Sequence, residues 1–168
     1  LASDKLMQAQ AGWRVMAALP GENPARRIAK GLNDLETGEL NPAIALELLE
    51  AAEKRKDDPT VGTALKDYEA SLPQDDPLAR FLVCLQGGDP LRGETVFRSH
   101  PAGQCLRCHR IDSGNTEGGE AGPNLAGIGK RHGAKHLLES LIAPNAMVTP
   151  GFGVVSLNFR NGARKSGI

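Results

Sequence analysis

The sequence predicts a mainly α-helical chain built in two parts, and three observations support this: repeated helix-start signals, apolar residues at helical spacing, and an abrupt change of texture near residue 87. The start signal is Asn or Asp followed by proline. The acidic or amide oxygen can accept an unpaired N–H of the first turn, and proline at the next position has no N–H to lose. The five pairs are Asn23-Pro24, Asn41-Pro42, Asp58-Pro59, Asp76-Pro77 and Asp89-Pro90.

Between these starts the apolar residues recur three and four positions apart, as on one face of a helix. The starts are separated by 13 to 18 residues, so neighbouring helices are expected to pair antiparallel through short loops. This arrangement is typical of α-solenoid repeats of the HEAT kind, and an irregular helical bundle is the alternative. The apolar positions are Leu6, Trp13 and Met16, then Ile44, Leu48, Leu49 and Ala52, then Val61, Leu65, Tyr68 and Leu72.

From residue 87 the sequence becomes rich in glycine and loops, which places a boundary between segments 1–86 and 87–168. The second segment is expected to contain helices over Asp89–Phe97 and Ala134–Ala143, the latter stopped by Pro144. Its end, "GFGVVSLNFRNGARKSGI", alternates like a strand and contains Asn161-Gly162, a favoured hairpin dipeptide. The sequence ends before a complete second strand is expected, which predicts a truncated domain ending in a short β segment.

Composition fits an ordinary soluble globular chain, with 24% charged and 40% hydrophobic residues. The net charge is zero overall, but residues 1–89 sum to −5 and residues 90–168 to +5. No apolar run approaches the roughly 20 residues that span a bilayer, and no signal peptide is visible. The basic residues are scattered and aromatics make up 4% of the chain, so nucleic-acid binding is not expected.

The chemical signal lies in Cys105-Leu106-Arg107-Cys108-His109, a C-x-x-C-H motif. This is the arrangement for covalent haem attachment. Two thiols about one helical turn apart can add to the two vinyl groups of a porphyrin, and the adjacent imidazole then lies beneath the iron. The motif therefore predicts one covalent haem c per chain, with His109 as the proximal ligand.

Two other interpretations of the two cysteines remain open. A zinc site could combine Cys105 and Cys108 with His132 and His136, although the 23 intervening residues exceed the roughly 12 of a C₂H₂ finger. A thioredoxin-like dithiol would require a βαβ context, which the sequence lacks. Cys84, in the apolar run "RFLVCL", is expected to be a buried free thiol.

The surrounding sequence resembles c-type cytochromes. "GDPLRGETVF" precedes the motif as a first helix would, and "GPNLAGIGKR" follows it as a Gly-Pro-x-Leu loop would. More closely, residues 87–168 resemble the haem-binding domain described from Planctomycetes and Verrucomicrobia, which commonly follows HEAT-like repeats and a β-propeller sugar-dehydrogenase-like domain. In relatives a strand-rich insertion, a Met-Pro segment and a final helix come after the part represented here.

The resemblance implies roles for further residues. The Pro123 carbonyl would accept the Nδ1–H of His109, and Leu125 would pack on the haem face. Arg131 corresponds to an arginine near a haem propionate. The sixth ligand does not follow from the resemblance, because relatives do not keep methionine at this point of the sequence. Met147 is a candidate because it is the only methionine after the motif, and His100, His132 and His136 are the alternatives.

Together these observations predict a helical segment followed by a cytochrome c-like domain that transfers single electrons. The chain would relay electrons from an associated dehydrogenase domain to another carrier, and would not itself be an enzyme. Covalent haem attachment is completed outside the cytoplasm, so a periplasmic or otherwise exported location is expected. The alternatives are a haem domain with an open sixth site, for gas binding or peroxidase-like chemistry, and a zinc-stabilised structural module.

Overall fold

The structure is a computed structural model that describes residues 4–112, 114 and 117–167. The chain divides into two compact units, Leu1–Gly88 and Asp89–Ile168. Helices dominate, and the described strands form one two-stranded sheet, which confirms the prediction of a mainly α chain. None of the helices in the described ranges combines the length and the apolar character needed to cross a membrane.

Four α-helices and two 3₁₀ segments make up the first unit. Within it α1 packs chiefly on α3, and α2 packs chiefly on α4, while each helix also contacts the next along the chain. The elements are α1 (Asp4–Ala18), α2 (Glu22–Glu36), a 3₁₀ turn (Pro42–Ile44), α3 (Ala45–Lys54), α4 (Pro59–Ser71) and a 3₁₀ segment (Ala79–Leu85).

The core of this unit joins α2, α3 and α4. Ile28, Leu48 and Val61 are fully buried there, with Trp13 of α1 packed against them. The close approach of the helices depends on Gly31, since a Cβ at this position would lie 2.7 Å from Cη2 of Trp13 and 2.9 Å from Cδ1 of Leu48. The helical spacing of apolar residues in the sequence therefore corresponds to the buried faces of these helices.

Two polar side chains are also buried in this unit. Gln10 of α1 donates a hydrogen bond from its amide nitrogen to the carbonyl oxygen of Ala43, at 3.1 Å. Glu47 of α3 is only 1% exposed, and neither carboxylate oxygen has a hydrogen-bond partner among the described residues. Burial of an unpaired carboxylate is unfavourable, so Glu47 is a weak point in the packing of α3.

The Asx-Pro pairs mark helix starts with one clear exception. Asp58 and Asp89 cap α4 and α5 through their side-chain oxygens, and Asn41 caps the 3₁₀ turn in the same way. Asp76 accepts the N–H of Leu78 just ahead of the 3₁₀ segment. The prediction for Asn23 is wrong, because α2 begins at Glu22 after Gly21 and Asn23 lies within its first turn.

The second unit contains less regular secondary structure than the first, and its loops are longer. Among its described residues, Leu138 of α7 is the one that is almost fully buried. The elements are α5 (Pro90–Ser99), a 3₁₀ turn (Cys105–Arg107), α6 (Ile128–Arg131), α7 (Ala134–Ile142), β1 (Val155–Asn158) and β2 (Arg164–Gly167).

The unit ends in an antiparallel hairpin, so the expectation that the second strand could not be completed is wrong. Asn158 pairs with Arg164, and Val155 with Gly167. The turn is also longer than a two-residue Asn-Gly turn, because Phe159 donates its N–H to Ala163 and three residues lie between them. Gly162 has φ +85°, the left-handed conformation that a three-residue hairpin loop requires.

Candidate functional site

The C-x-x-C-H motif folds as a single tight turn directly after α5. The N–H groups of Cys108 and His109 both donate to the carbonyl of Cys105, at 3.2 and 3.0 Å. The turn is entered through Gln104, which adopts a left-handed conformation with φ 42°. Because the motif spans one turn, Cys105, Cys108 and His109 are held in one short, hydrogen-bonded segment.

The ring of His109 is fixed by the carbonyl oxygen of Pro123, which lies 2.8 Å from Nδ1. A carbonyl oxygen can only accept a hydrogen bond, so Nδ1 carries the hydrogen. In the neutral ring this leaves the lone pair on Nε2, the atom that a metal ion would use. The hydrogen bond therefore selects both the orientation and the tautomer suited to an axial ligand.

Three glycines lie directly against the motif, and sequence reasoning did not single them out. A Cβ at Gly122 would lie 2.8 Å from Nδ1 of His109, which leaves room at this position only for glycine. A Cβ at Gly118 would collide with the carbonyl of His109, and one at Gly119 with the carbonyl of Arg107. The available signal was the glycine density of "GGEAGPN" next to the motif.

Backbone hydrogen bonds tie the following loop to the same turn. Gly119 donates to the carbonyl of Leu106 and Gly122 to that of Cys108, both at 2.8 Å. Leu125 donates to the carbonyl of Arg110, also at 2.8 Å. The segment carrying Pro123 is thus attached to the motif at several points, which holds the His109 acceptor in place.

Two ion pairs fasten this loop, and neither was predicted from the sequence. Arg98 of α5 binds Glu117 and also Glu94, at 2.9 Å in the second case. Both contacts raise the pKa of the Arg98 guanidinium, and the contact with Glu117 has the larger effect. Arg110, next to His109 in the chain, pairs with Glu120, and its Nε is buried without a hydrogen-bond partner in the described residues.

Comparison of this chain with known protein families, curated proteins and solved structures finds no match. Any functional conclusion therefore depends on the residues and geometry of this chain.

Leu125 lies in the loop that follows Pro123, and Arg131 is the last residue of α6, the helix to which this loop leads. The guanidinium of Arg131 donates to the carbonyl of Asn124, at 3.1 Å, and to that of Ala126. Leu125 is half-buried. Its carbonyl accepts the N–H of Ile128, and this hydrogen bond closes the turn that leads into α6. The structure thus places Arg131 against the backbone on either side of Leu125.

The candidate sixth ligands occupy different surroundings. The side chain of Met147 is exposed, at 65%. Nδ1 of His100 accepts the N–H of Gly103 at 3.0 Å, within the turn that precedes the motif. The rings of His132 and His136 stack on one another with centroids 4.3 Å apart.

The zinc arrangement considered from the sequence is not assembled in this structure. Across residues 4–112, 114 and 117–167, no three His, Cys, Asp or Glu side chains are grouped so as to hold a metal ion. Cys105 and Cys108 are both free thiols.

Cys84 lies in the first unit and is free, as predicted, but it is exposed rather than buried. It borders a groove of about 250 Å³ whose walls are largely apolar, between α3, α4 and the 3₁₀ segment Ala79–Leu85. Partial desolvation, and then the charge of Glu50, raise the pKa of the thiol.

Proposed function

We propose that this chain attaches one haem through Cys105 and Cys108, binds its iron through Nε2 of His109, and serves in one-electron transfer. The observation that supports this most directly is the 2.8 Å contact between Nδ1 of His109 and the Pro123 carbonyl. It leaves Nε2 available and orients the ring, as required of an axial ligand.

The residues present fit such a group. Two free thiols and an imidazole lie in one hydrogen-bonded turn, which is the donor set for thioether attachment with a proximal histidine. Gly122 leaves the space beside the His109 ring that a larger residue would fill. When bound, haem would supply a reversible ferric–ferrous couple, while the chain holds the His109 ring and tunes its basicity through the Pro123 carbonyl.

Further residues have proposed supporting roles. Leu125 would cover one face of the haem, and Arg131 would hold the loop that presents Leu125, given its hydrogen bonds to the carbonyls of Asn124 and Ala126. In addition, Arg131 is a candidate partner for a haem propionate. Met147, the one methionine that follows the motif in the sequence, is a candidate sixth ligand. A thioether ligand would raise the potential relative to a second histidine.

The first unit is proposed to be a repeat module that carries the haem domain within a larger protein. The packing of α1 on α3 and of α2 on α4 supports this, because stacked helical pairs in α-solenoids make such contacts between equivalent helices.

We infer no catalytic role for this chain. Its partners would be an electron donor, such as an associated dehydrogenase domain, and an electron acceptor, in the periplasm or another exported location.

The experiment that tests the proposal is expression of the chain with a haem-attachment system, followed by denaturing mass spectrometry and a pyridine haemochrome spectrum. We expect a mass increase of one haem and the spectrum of a haem with two thioether bonds. Cys105→Ser should give the spectrum of a haem with one thioether, and the Cys105→Ser/Cys108→Ser double variant should lose covalent haem. Cys84→Ser is the matched control and should retain the wild-type spectrum.

A colourless product from wild-type chain would contradict the proposal, provided that a known cytochrome c matures in the same cells. Voltammetry of the coloured product should show a reversible one-electron wave. Rapid binding of carbon monoxide by the ferrous form, unchanged in Met147→Ala, would contradict Met147 as the sixth ligand and favour gas-binding or peroxidase-like chemistry.

A further inference from the structure

The loop that carries the hydrogen-bond acceptor of His109 lies directly against the chain on both sides of that residue. Arg110 forms an isolated antiparallel bridge with Gly118, and a Cβ at Gly118 would lie 2.8 Å from Cα of Arg110. At the other end of the loop, a Cβ on Gly122, the neighbour of Pro123, would touch the His109 ring. The position of the Pro123 carbonyl therefore depends on how closely this loop is held to the motif.

One ion pair joins the two sides of this contact. The guanidinium of Arg110, the residue after His109, pairs with the carboxylate of Glu120, which precedes Pro123 by three residues. The Arg110 side chain is only 21% exposed, and its Nε is buried without a hydrogen-bond partner in the part of the chain that the structure describes. An unpaired cation is unfavourable in such a place, so the Arg110 guanidinium depends on Glu120 more than it would in an exposed surface pair.

The second ion pair of the same loop differs in two respects. Arg98 of α5 pairs with Glu94 as well as with Glu117, so it keeps a carboxylate partner when Glu117 is removed. Its side chain is also more exposed than that of Arg110, at 39%. Loss of Glu117 would therefore release one end of the loop without leaving a buried charge unpaired. Loss of Glu120 would do both, and close to the His109 ring.

We propose that Arg110 and Glu120 are positioning residues that set the strength of His109 as an axial ligand. Their ion pair would hold the Pro123 carbonyl against Nδ1 of His109, and the hydrogen bond there makes Nε2 a stronger electron donor. A stronger donor favours ferric over ferrous iron, so the ion pair would lower the reduction potential. The effect on the potential rests on the proposed haem attachment, whereas the orientation of the ring does not.

The first test follows the Nδ1 hydrogen of His109 by NMR in the full chain loaded with haem, in the ferrous form. Exchange of this hydrogen with solvent is slow while the Pro123 carbonyl accepts it. We expect Glu120→Ala to speed the exchange about fivefold or more, because a hydrogen bond between charged groups is lost. Glu117→Ala is the matched control and should change the rate less than about twofold, as is usual for exposed pairs. Equal effects of the two variants would overturn the proposal.

The second test is the midpoint potential of the same chains, measured by voltammetry. Glu120→Ala should raise the potential by up to about 59 mV, which corresponds to a tenfold shift of the ferric–ferrous ratio. Glu117→Ala removes the same charge and should raise it less. Arg110→Met separates positioning from charge, because removal of a positive charge alone would lower the potential, whereas loss of positioning raises it. A fall in Arg110→Met together with a rise in Glu120→Ala would indicate an effect of charge alone and would overturn the proposal.

Conservative variants keep the test decisive if Arg110→Met or Glu120→Ala does not fold. Arg110→Lys retains the positive charge, and Glu120→Gln retains an acceptor for the guanidinium. Each should therefore lie between the wild-type chain and the full truncation in both exchange rate and potential. Wild-type values in both variants, with folding intact by circular dichroism, would support a requirement for either group in weakened form only and would overturn the role of the ion pair.

Failure of the proposed haem attachment would look different from failure of the positioning role. Without haem the wild-type product is colourless, and exchange of the His109 Nδ1 hydrogen is then followed in the haem-free chain, where the same order of rates is expected. A coloured product in which wild type, Glu120→Ala and Glu117→Ala share one exchange rate and one potential would overturn the positioning role and leave haem attachment standing.

Discussion

Nδ1 of His109 donates to the carbonyl oxygen of Pro123, fourteen residues further along the chain, at 2.8 Å. The loop between them is held by glycine contacts and ion pairs rather than by a hydrophobic core of its own. The geometry of the motif therefore depends on the loop as much as on the motif itself, and this dependence can be measured.

Gly122→Ala should destabilise the second unit by about 1–3 kcal/mol, because the new methyl group would press on the His109 ring. The matched control is Gly93→Ala in α5, where a Cβ would meet nothing within 4 Å. Alanine is a better helix former than glycine, so this change should be stabilising by about 0.5–1 kcal/mol. Urea denaturation followed by circular dichroism measures both. Equal effects of the two substitutions would show that the close approach of Gly122 to His109 is unimportant.

Glu47→Met should increase the stability of the first unit, by about 1–3 kcal/mol, because it replaces a buried carboxylate that has no hydrogen-bond partner in the described part of the chain by an apolar side chain of similar length. The control is Glu39→Met on the exposed surface, which should change stability by less than about 0.5 kcal/mol. Thermal unfolding of the two variants gives the comparison. Loss of stability in Glu47→Met would mean that the carboxylate has a stabilising partner after all.

Asp58→Ala should destabilise α4 by about 1 kcal/mol, since the carboxylate accepts the N–H groups of Thr60 and Val61. Asp58→Asn keeps an acceptor at this position and removes the charge that pairs with Arg55, so it separates capping from the ion pair. Asn23→Ala is the control, because Asn23 precedes a proline without capping a helix, and it should have an effect within about 0.5 kcal/mol. A cost for Asn23→Ala equal to that of Asp58→Ala would contradict the observed start of α2.

The thiol of Cys84 should react slowly with iodoacetamide at pH 8 compared with the unfolded chain. Partial desolvation and the Glu50 charge raise its pKa, and only the thiolate reacts. Glu50→Gln should speed the reaction, whereas Glu53→Gln, which alters another wall of the same groove, should not. The rates are measured in the Cys105→Ser/Cys108→Ser background, where Cys84 is the remaining cysteine.

The raised pKa of Cys84 also makes the stability of the first unit depend on pH, and the direction of this dependence can be worked out. A thiol whose pKa is raised on folding favours the folded state while it is protonated. This contribution is complete below the pKa of the thiol in the unfolded chain and is lost as the pH rises through the folded value. Stability of the first unit should therefore fall less steeply above pH 9 in Cys84→Ala than in the wild-type chain. An unchanged slope would show that the thiol does not contribute.

Local signals in the sequence were sufficient for much of the fold. Asp58 and Asp89 cap helices where an Asx-Pro pair predicts it, because capping needs only the neighbouring N–H groups. The Asn23-Pro24 pair gave a wrong helix start because Gly21, two residues earlier, supplies the backbone geometry that starts α2. The Asn161-Gly162 dipeptide predicted a hairpin correctly, but its loop length depends on which strand residues pair, and this is not a local property.

In the candidate site, too, some features follow from the local sequence and others depend on how distant segments pack. The proposed donor set of Cys105, Cys108 and His109 follows from the spacing of these residues in the sequence. The pairing of Arg98 with Glu117 could not be identified in this way, because it depends on where a loop lies relative to α5. Burial of Glu47 could not be predicted either, since "ALELLEAAEK" contains other glutamates and the packing of α3 against its neighbours decides which of them is enclosed.

If the motif carries haem as proposed, the loop that packs on it would set an order of events during maturation. In the folded chain the carbonyls of Leu106 and Cys108 are already engaged by Gly119 and Gly122, and no side chain fits between the two segments. The thiols of Cys105 and Cys108 would then have to react before or while this loop closes on the motif, and a chain whose loop is already closed would be a poorer substrate for attachment.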